Sequence, residues 1–499
     1  MSAESLGTRS ISAVFWGAGG AVARLILQVA TQIALARILG PAQYGLFAVG
    51  ATVISFSSFL SDIGLAYGLI QKDTVHERDI RFVMTWQVLL GSAVCAAVAL
   101  ISTPLAIFFG DLRAAPVIQA LSAVCLLNAL AAPALNLLKR SLDFKKIQLI
   151  QLVSYFLGYM LVGLPLALYG AEVWALVTAW IVQAAASGML LYRSSRHSLL
   201  PLLWYEGARR QSGYGVTVLV TNMVNWLIGN VDRIVVARAF GIRDVGLYAT
   251  SYNLFYNPTS TLLGVIQPVF FSASSRIADE SHRIVDAYLS LVAALALVAL
   301  PVFVAVATIA GTFVLALYGP GWSDASVLVR PLALAMPLFL LFGLTTPVLW
   351  TTGRASSEFR IQAPLAVLWI AATAIAAKFS IVHVAWTVLA LYAFRNVVII
   401  VVASRGLNLT AAKMWRCLRG GLLLSLGIAL TLTGIDQSLQ SLAAWQRLVI
   451  EICIGSVIWI VAVRFVPRIF SPELASLLPK IVNHMPPRFS RHFAFLNAK

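Results

Sequence analysis

The stretch AYLSLVAALALVALPVFVAVATIAGTFVLALYGPGWS, residues Ala287–Ser323, contains no Asp, Glu, Lys, Arg or His. A helix needs about 20 apolar residues to cross the hydrocarbon core of a bilayer, and this run exceeds that length. Uncharged runs of similar kind cover Phe82–Gly110, Ala114–Leu138, Ile147–Ala171 and Val245–Ser275. Inside lipid each segment satisfies its own backbone N–H and C=O groups, so these runs read as helices. The alternating ten-residue strands of a membrane barrel are absent. Prolines inside the runs (Pro104, Pro133, Pro165, Pro258, Pro268, Pro337) predict kinks packed against neighbouring helices.

Composition points the same way. Of 499 residues, 60% are hydrophobic and 11% charged, against roughly 25% charged in soluble domains. So few charges cannot cover a folded surface of this size, and lipid meets much of it. A net charge of +17 would suggest nucleic acid as partner of a soluble chain. Here the basic residues sit in short loops between apolar runs, which makes them topology signals, and no nucleic-acid partner is expected. Cys95, Cys125, Cys417 and Cys453 lie in or beside apolar segments without metal-ligand spacing and read as buried thiols. No metal and no cofactor is expected. Residues 1–10 carry only Glu4 and Arg9, and the apolar stretch behind them reads as a retained first span rather than a cleaved leader.

The pattern predicts about fourteen spans: 11–37, 42–70, 82–109, 114–138, 146–169, 173–192, 212–238, 245–272, 287–317, 327–350, 360–378, 381–404, 419–435 and 446–466. Basic residues crowd alternate loops, with Lys139, Arg140, Lys145 and Lys146 in one, and Arg193, Arg196, Arg209 and Arg210 in another. The opposite loops hold only scattered cations such as Arg37, Arg113 and Arg238. The positive-inside rule then places both termini in the cytoplasm.

One motif occurs twice. Ala36-Arg37-Ile38-Leu39-Gly40 with Gly45-Leu46-Phe47-Ala48 returns, 201 residues later and without a gap, as Ala237-Arg238-Ala239-Phe240-Gly241 with Gly246-Leu247-Tyr248-Ala249. Gly40 and Gly241 suit a tight turn with positive φ, and Gly45 and Gly246 suit close helix approach. These four glycines are expected to form the hinge of each repeat. Each copy opens a block of six spans, which predicts two six-helix lobes in parallel orientation around a central cavity. The expected organisation is an N-lobe (1–192), a basic cytoplasmic inter-lobe loop (193–211), a C-lobe (212–404), two accessory spans (405–466) and a cytoplasmic tail (467–499).

Gly40-Pro41-Ala42-Gln43-Tyr44-Gly45-Leu46-Phe47, then Asn230-Val231-Asp232-Arg233, then Gly246-Leu247-Tyr248-Ala249-Thr250-Ser251-Tyr252 give the chain its resemblance to the bacterial polysaccharide transporters. These are the Wzx-type flippases of the multidrug/oligosaccharidyl-lipid/polysaccharide exporter superfamily. The resemblance implies a multi-pass inner-membrane protein, not an enzyme. It implies translocation of an undecaprenyl-diphosphate-linked oligosaccharide by alternating access, for exopolysaccharide, capsule or O-antigen synthesis. Membrane lipids, a polysaccharide polymerase and a chain-length regulator are the partners it implies.

Charges within spans are costly and usually face a cavity or a partner. Arg24 and Arg395 come from different lobes, near the middle of their spans. A guanidinium stays charged and offers paired donors to phosphate oxygens, so both are candidates for contact with the diphosphate. The competing reading is an ion pair that only positions helices, such as Arg24 with Asp62. Asp232 and Asp62 are candidates for ion or proton coupling, with local pairing of Asp232 to Arg233 as the alternative. Tyr252 and Tyr256 share a helix face at i, i+4. With Asn253, Asn257 and Asn225 they could meet sugar rings, although an interfacial aromatic belt has the same composition.

Two other functions compete. A cation-coupled multidrug exporter would favour acidic residues in the cavity, whereas mid-span arginines prevail here. A membrane-embedded polysaccharide polymerase would need catalytic groups on the outer face. No paired carboxylates and no Ser/His/Asp grouping stand there, so no catalytic residue is expected.

Overall fold

The computed structural model describes residues 3–62, 66, 69, 74–205, 223, 226–277, 280–351, 355–405, 409–465, 471, 472 and 474, with side chains outside 3–18, 62, 281 and 355–360. Among the described residues every regular element is helical. In chain order these are α1 (Ala3–Asp62), α2 (Glu77–Leu100), α3 (Ser102–Phe108), α4 (Ala114–Leu121), α5 (Ala123–Arg140), α6 (Phe144–Tyr155), α7 (Leu164–Leu168) and α8 (Val173–Ser195). There follow α9 (226–239), α10 (Ile242–Ser275), α11 (Ser281–Thr308), α12 (Ala310–Tyr318), α13 (Ser326–Thr351), α14 (Ala355–Ala377), α15 (Ile381–Ser404), α16 (Ala411–Ser438) and α17 (Ala444–Phe465). A π-helical segment, Phe156–Gly163, joins α6 to α7, and a 3-10 turn, Pro320–Ala325, precedes α13.

Ten described helical stretches are long and apolar enough to cross a membrane. The spans expected over 11–37 and 42–70 are one helix, α1, kinked at Gly40, whose φ of 74° and ψ of 172° interrupt the helical path. Several spans expected as single helices are broken in line: 82–109 at Ile101, 114–138 at Ser122 and 287–317 at Ile309. Pro104 accordingly sits in the first turn of the short helix α3, where a missing N–H costs little, whereas Pro165 lies just past the π-helical segment within one continuous helical path, Phe144–Leu168. Hydroxyls inside the apolar helices turn back onto the preceding turn. Thr31 donates to the Leu27 carbonyl at 2.7 Å, Ser154 to Ile150 at 2.7 Å and Ser425 to Gly421 at 2.6 Å. This settles the demand of the two serines without a partner helix, while Thr31 also reaches Met160 Sδ at 3.2 Å.

The chain divides into two compact units. One comprises Met1–Thr250 with Trp369–Ile381. In it α2 packs on α5, α5 on α8, α1 on α6, and the π-helical segment on α8. The π segment approaches so closely that a Cβ on Gly158 would collide with the Ala179 carbonyl. α9 is held to the second half of α1 by Trp226, whose indole N–H donates to Ser55 Oγ at 2.7 Å while its ring meets Phe56 at 5.1 Å.

The other unit comprises Ser251–Leu368 with Val382–Lys499. Its core forms where α11 packs on α13 and α16, around Ile284, Tyr288, Val292, Leu344 and Met414. Tyr288 shares a hydrogen bond with Thr345 at 2.8 Å. Leu474, from the segment expected to be a cytoplasmic tail, is buried in this core. The four thiols are free, but not all are buried as expected. Cys125 and Cys417 are, whereas Cys95 is half-buried and Cys453 is exposed on an apolar helix surface.

Candidate functional site

The repeated motif meets itself. A Cβ added at Gly45 would collide with the Ile242 carbonyl, and one at Gly246 would collide with the Pro41 carbonyl. Pro41 and Ile242 occupy equivalent positions in the two copies, as do Gly45 and Gly246. The contact is therefore reciprocal: each copy presents a bare glycine to the other's backbone. Burial repeats as well, since Ala36 and Ala237 are inside while Arg37 and Arg238 are exposed. Tyr44 braces the first copy by donating to the Gln32 carbonyl across the kink at 3.2 Å.

Gly241 departs from the expectation. Gly40 has the positive φ that only glycine holds comfortably, but Gly241 does not, and nothing stands within 4 Å of the Cβ it lacks. Its carbonyl instead starts α10, accepting from the Asp244 and Val245 amides at 2.9 and 3.1 Å. The first copy bends a continuous helix, whereas the second starts a new one.

Arg24 lies half-buried on α1, and its guanidinium donates to the amide oxygen of Gln151 on α6. A neutral amide orients a guanidinium without cancelling its charge. Next to it, Gly20 lets Gln148 of α6 come close to the α1 backbone. The alternative partner, Asp62, has its side chain outside the described residues. Asp232 is buried on α9 and accepts a 2.7 Å hydrogen bond from the Tyr248 hydroxyl of α10. Arg233 reaches back along its own helix to the Gly229 carbonyl at 2.7 Å.

In the second unit Arg395 is 7% exposed. It donates to the Gln362 amide oxygen at 2.5 Å, and its guanidinium carbon lies 3.5 Å from the centre of the Phe342 ring. One turn earlier on α15, Tyr392 meets the Tyr252 hydroxyl at 3.2 Å. Tyr252 stacks on Tyr256 at 5.3 Å, and Phe339 touches both Tyr256 and Tyr392. The structure thus gathers Tyr252, Tyr256, Tyr392 and Phe339 into one aromatic cluster, with Arg395 one turn beyond Tyr392 on α15. Tyr252 is its buried base, Tyr256 and Asn253 are half-buried, and Asn257 is exposed. Asn225 lies outside the described residues. Gln151, Gln362 and Tyr392, which hold these groups, were not singled out from the sequence. No group of three or more His, Cys, Asp or Glu able to hold a metal occurs among the described residues.

Long apolar helices, a motif crossing its own repeat and cations anchored inside spans define a multi-pass membrane protein of the transporter class. The fold agrees with solved structures. "Lipid II flippase MurJ, inward closed conformation" superposes with a TM-score of 0.71 at 11% identity, covering 89% of this chain and 97% of that one. An inward-facing multidrug resistance MATE family transporter of the MOP superfamily follows with a TM-score of 0.54 at 14% identity, over 79% and 94%. The sequence profile described as "Polysaccharide biosynthesis protein" matches residues 34–327, and the chain belongs to that family. Relatives include the lipopolysaccharide biosynthesis protein WzxC of Escherichia coli strain K12, 25% identical over 74% of this chain and 76% of its own. The teichuronic acid biosynthesis protein TuaB of Bacillus subtilis strain 168 is 21% identical over 81% and 85%. The succinoglycan biosynthesis transport protein ExoT of Rhizobium meliloti strain 1021 is 23% identical over 67% of each chain.

Proposed function

We propose that the protein is a flippase that moves a lipid-linked oligosaccharide repeat unit across the bacterial inner membrane for polymer assembly outside. The observation that carries this reading is the anchoring of Arg24 by an uncharged glutamine within an apolar helix. A diphosphate-linked lipid brings negative charge into a layer where unpaired charge is prohibitive. A guanidinium whose position is fixed but whose charge is not spent is suited to meet it. Arg395, held by Gln362 and Phe342, is a second guanidinium placed inside a span, in the other unit.

In this reading the chain has about fourteen spans in two six-span lobes, 1–192 and 212–404, linked by the basic loop 193–211. Spans 405–466 are accessory and both termini are cytoplasmic. The glycines of the repeat crossing serve as the pivot. Tyr256, Asn253 and Asn257 meet sugar, with Tyr252 as the packed base beneath Tyr256. Asp232 and Asp62 are the coupling candidates. Family relatives named for polysaccharide biosynthesis and transport support the substrate class. A polymerase and a chain-length regulator then act on the delivered unit.

The test is made in cells of the source organism. Deleting the gene should abolish surface polymer and accumulate the lipid-linked repeat unit in the inner leaflet, with drug sensitivity unchanged. Normal polymer with heightened drug sensitivity would instead establish the cation-coupled exporter.

A further inference from the structure

Glu451 sits on α17, eight residues into a helix that is otherwise apolar around it. It is 1% exposed, no donor meets either carboxylate oxygen, and the polar group within its reach is the Asp436 carboxylate, an acceptor that a protonated Glu451 could donate to. Its side chain lines a cavity of about 580 Å³ whose other walls are apolar save for Ser456, among them Val302, Phe313, Leu432 and Trp459. All of these residues belong to the second unit. An ionised carboxylate here would face hydrocarbon with no donor to meet it, a costly arrangement.

The surroundings decide what Glu451 can take up. α11 presents only apolar side chains to the cavity, α12 presents Phe313, and α16 presents Ile428 and Leu432. The polar neighbours of Glu451, Asp436 and Arg447, lie outside the cavity lining. The cation beside Glu451 is Arg447, one turn earlier on its own helix. Arg447 is committed to Asp436, to whose carboxylate and backbone carbonyl it donates. Thr312 donates to the same Asp436 oxygen at 2.6 Å. One guanidinium thus serves two carboxyls. With Asp436 ionised and Arg447 bonded to it, the group is neutral, and an ionised Glu451 would leave it with a net negative charge. Arg447 already fills the place a metal cation would take beside Asp436, so the ligand that fits the vacant role at Glu451 is a proton.

We propose that Glu451 is an exchangeable proton-binding site, neutral when loaded, with Asp436, Arg447 and Thr312 holding the compensating charge beside it. Loading adds one proton to one carboxylate oxygen and forms one O–H bond, with no other bond changed. Unloading places a second negative charge in the apolar cavity between α11, α12, α16 and α17. The site stands apart from the arginine anchors and does not depend on what the protein carries.

The full chain, purified in lipid nanodiscs without substrate, is treated with dicyclohexylcarbodiimide. This apolar reagent takes the proton of a carboxylic acid on nitrogen while the carboxylate oxygen attacks its central carbon. An O-to-N acyl shift then leaves a stable N-acylurea. Peptide mass spectrometry should find the adduct on Glu451 at neutral pH and its yield should fall several-fold at alkaline pH, while Asp436 stays unmodified. In parallel, the pH-difference infrared spectrum should show a protonated-carboxyl C=O band that Glu451→Gln removes. No adduct on Glu451 at any pH would overturn the proposal, and so would an adduct or band indifferent to pH. If the glutamine variant fails to fold, the wild-type adduct and its pH dependence still decide the matter.

Discussion

The crossing of the two repeats makes a graded prediction from four alanine substitutions. At Gly45 and Gly246 the added methyl meets a backbone carbonyl of the opposite copy, an atom that cannot rotate away. The helices must separate, and overpacking of this kind costs about 1–3 kcal/mol. Alanine's helix propensity returns up to about 1 kcal/mol of that. At Gly40 the space is open, but φ of 74° with ψ of 172° lies in a region essentially reserved for glycine, and forcing alanine there costs about 1–3 kcal/mol. At Gly241 neither penalty applies, so Gly241→Ala should stay within about 0.5 kcal/mol of wild type. The double substitution Gly45→Ala, Gly246→Ala should cost less than the sum of its parts, because the first methyl already wedges apart the contact the second would strain. Thermal unfolding in nanodiscs, with abundance in membranes, reads the series. A Gly241 variant as damaged as the Gly45 variant would refute the reasoning, as would full additivity in the double variant.

Four further predictions concern charged and titratable groups. Arg24→Ala should lower substrate affinity roughly ten- to a hundred-fold, from the loss of charge-assisted bonds at about 1.5–3 kcal/mol each. Arg24→Lys should retain part of the function, and loss of abundance matching loss of export would point to a scaffold role instead. Tyr248→Phe should destabilise by about 1–3 kcal/mol by leaving the buried Asp232 carboxylate short of a donor. Asp232→Asn keeps an acceptor there, so it should fold and yet lose transport; a fully active Asp232→Asn variant would remove Asp232 from coupling. His197 is 7% exposed against Tyr192, and burial pushes its imidazole below its ordinary range, partly countered by a hydrogen bond to the Ser198 carbonyl. As pH falls through the unfolded value of about 6.5, the unfolded chain takes up a proton that the folded chain resists. The melting temperature should therefore fall with acidification, and more in wild type than in His197→Phe; equal slopes would contradict this.

Much of this architecture is legible in the sequence because lipid imposes a single demand, that backbone groups pair within their own segment. Apolar length, interrupted by a single arginine in α13 and in α15, is enough to place α8, α13 and α15 within a few residues. The register of the repeat could be read because both copies keep the same glycine spacing, and the reciprocal fit of Gly45 and Gly246 gives that spacing its physical reason. The break at Ser122 has no glycine or proline beside it, and Pro104 and Gly311 stand two or three residues beyond the breaks at Ile101 and Ile309, inside apolar runs long enough to read as single spans. Gly241 matched Gly40 in letter but not in geometry, because a fresh helix start does not require the backbone turn that a kink does. The partners of the arginines escaped notice for another reason. Gln151 lies 127 residues from Arg24, and Gln362 lies 33 residues from Arg395. Apolar periodicity does not tell which faces of two uncharged helices meet. Glu451 was overlooked as one acid in a long apolar run, and its isolation becomes visible only when its neighbours are known to be apolar.

The central claim is that this chain moves a lipid-linked, diphosphate-bearing oligosaccharide between leaflets. Purified protein reconstituted into liposomes with an undecaprenyl-diphosphate-linked oligosaccharide tests it most directly. A membrane-impermeant glycan-modifying enzyme outside the vesicles reads how much of the lipid reaches the outer leaflet. The account predicts that about half of the lipid is accessible without protein and nearly all of it with protein, and that Arg24→Ala returns the value to that without protein. Accessibility unchanged by the wild-type protein, in vesicles where it moves a lipophilic drug cation, would contradict the account.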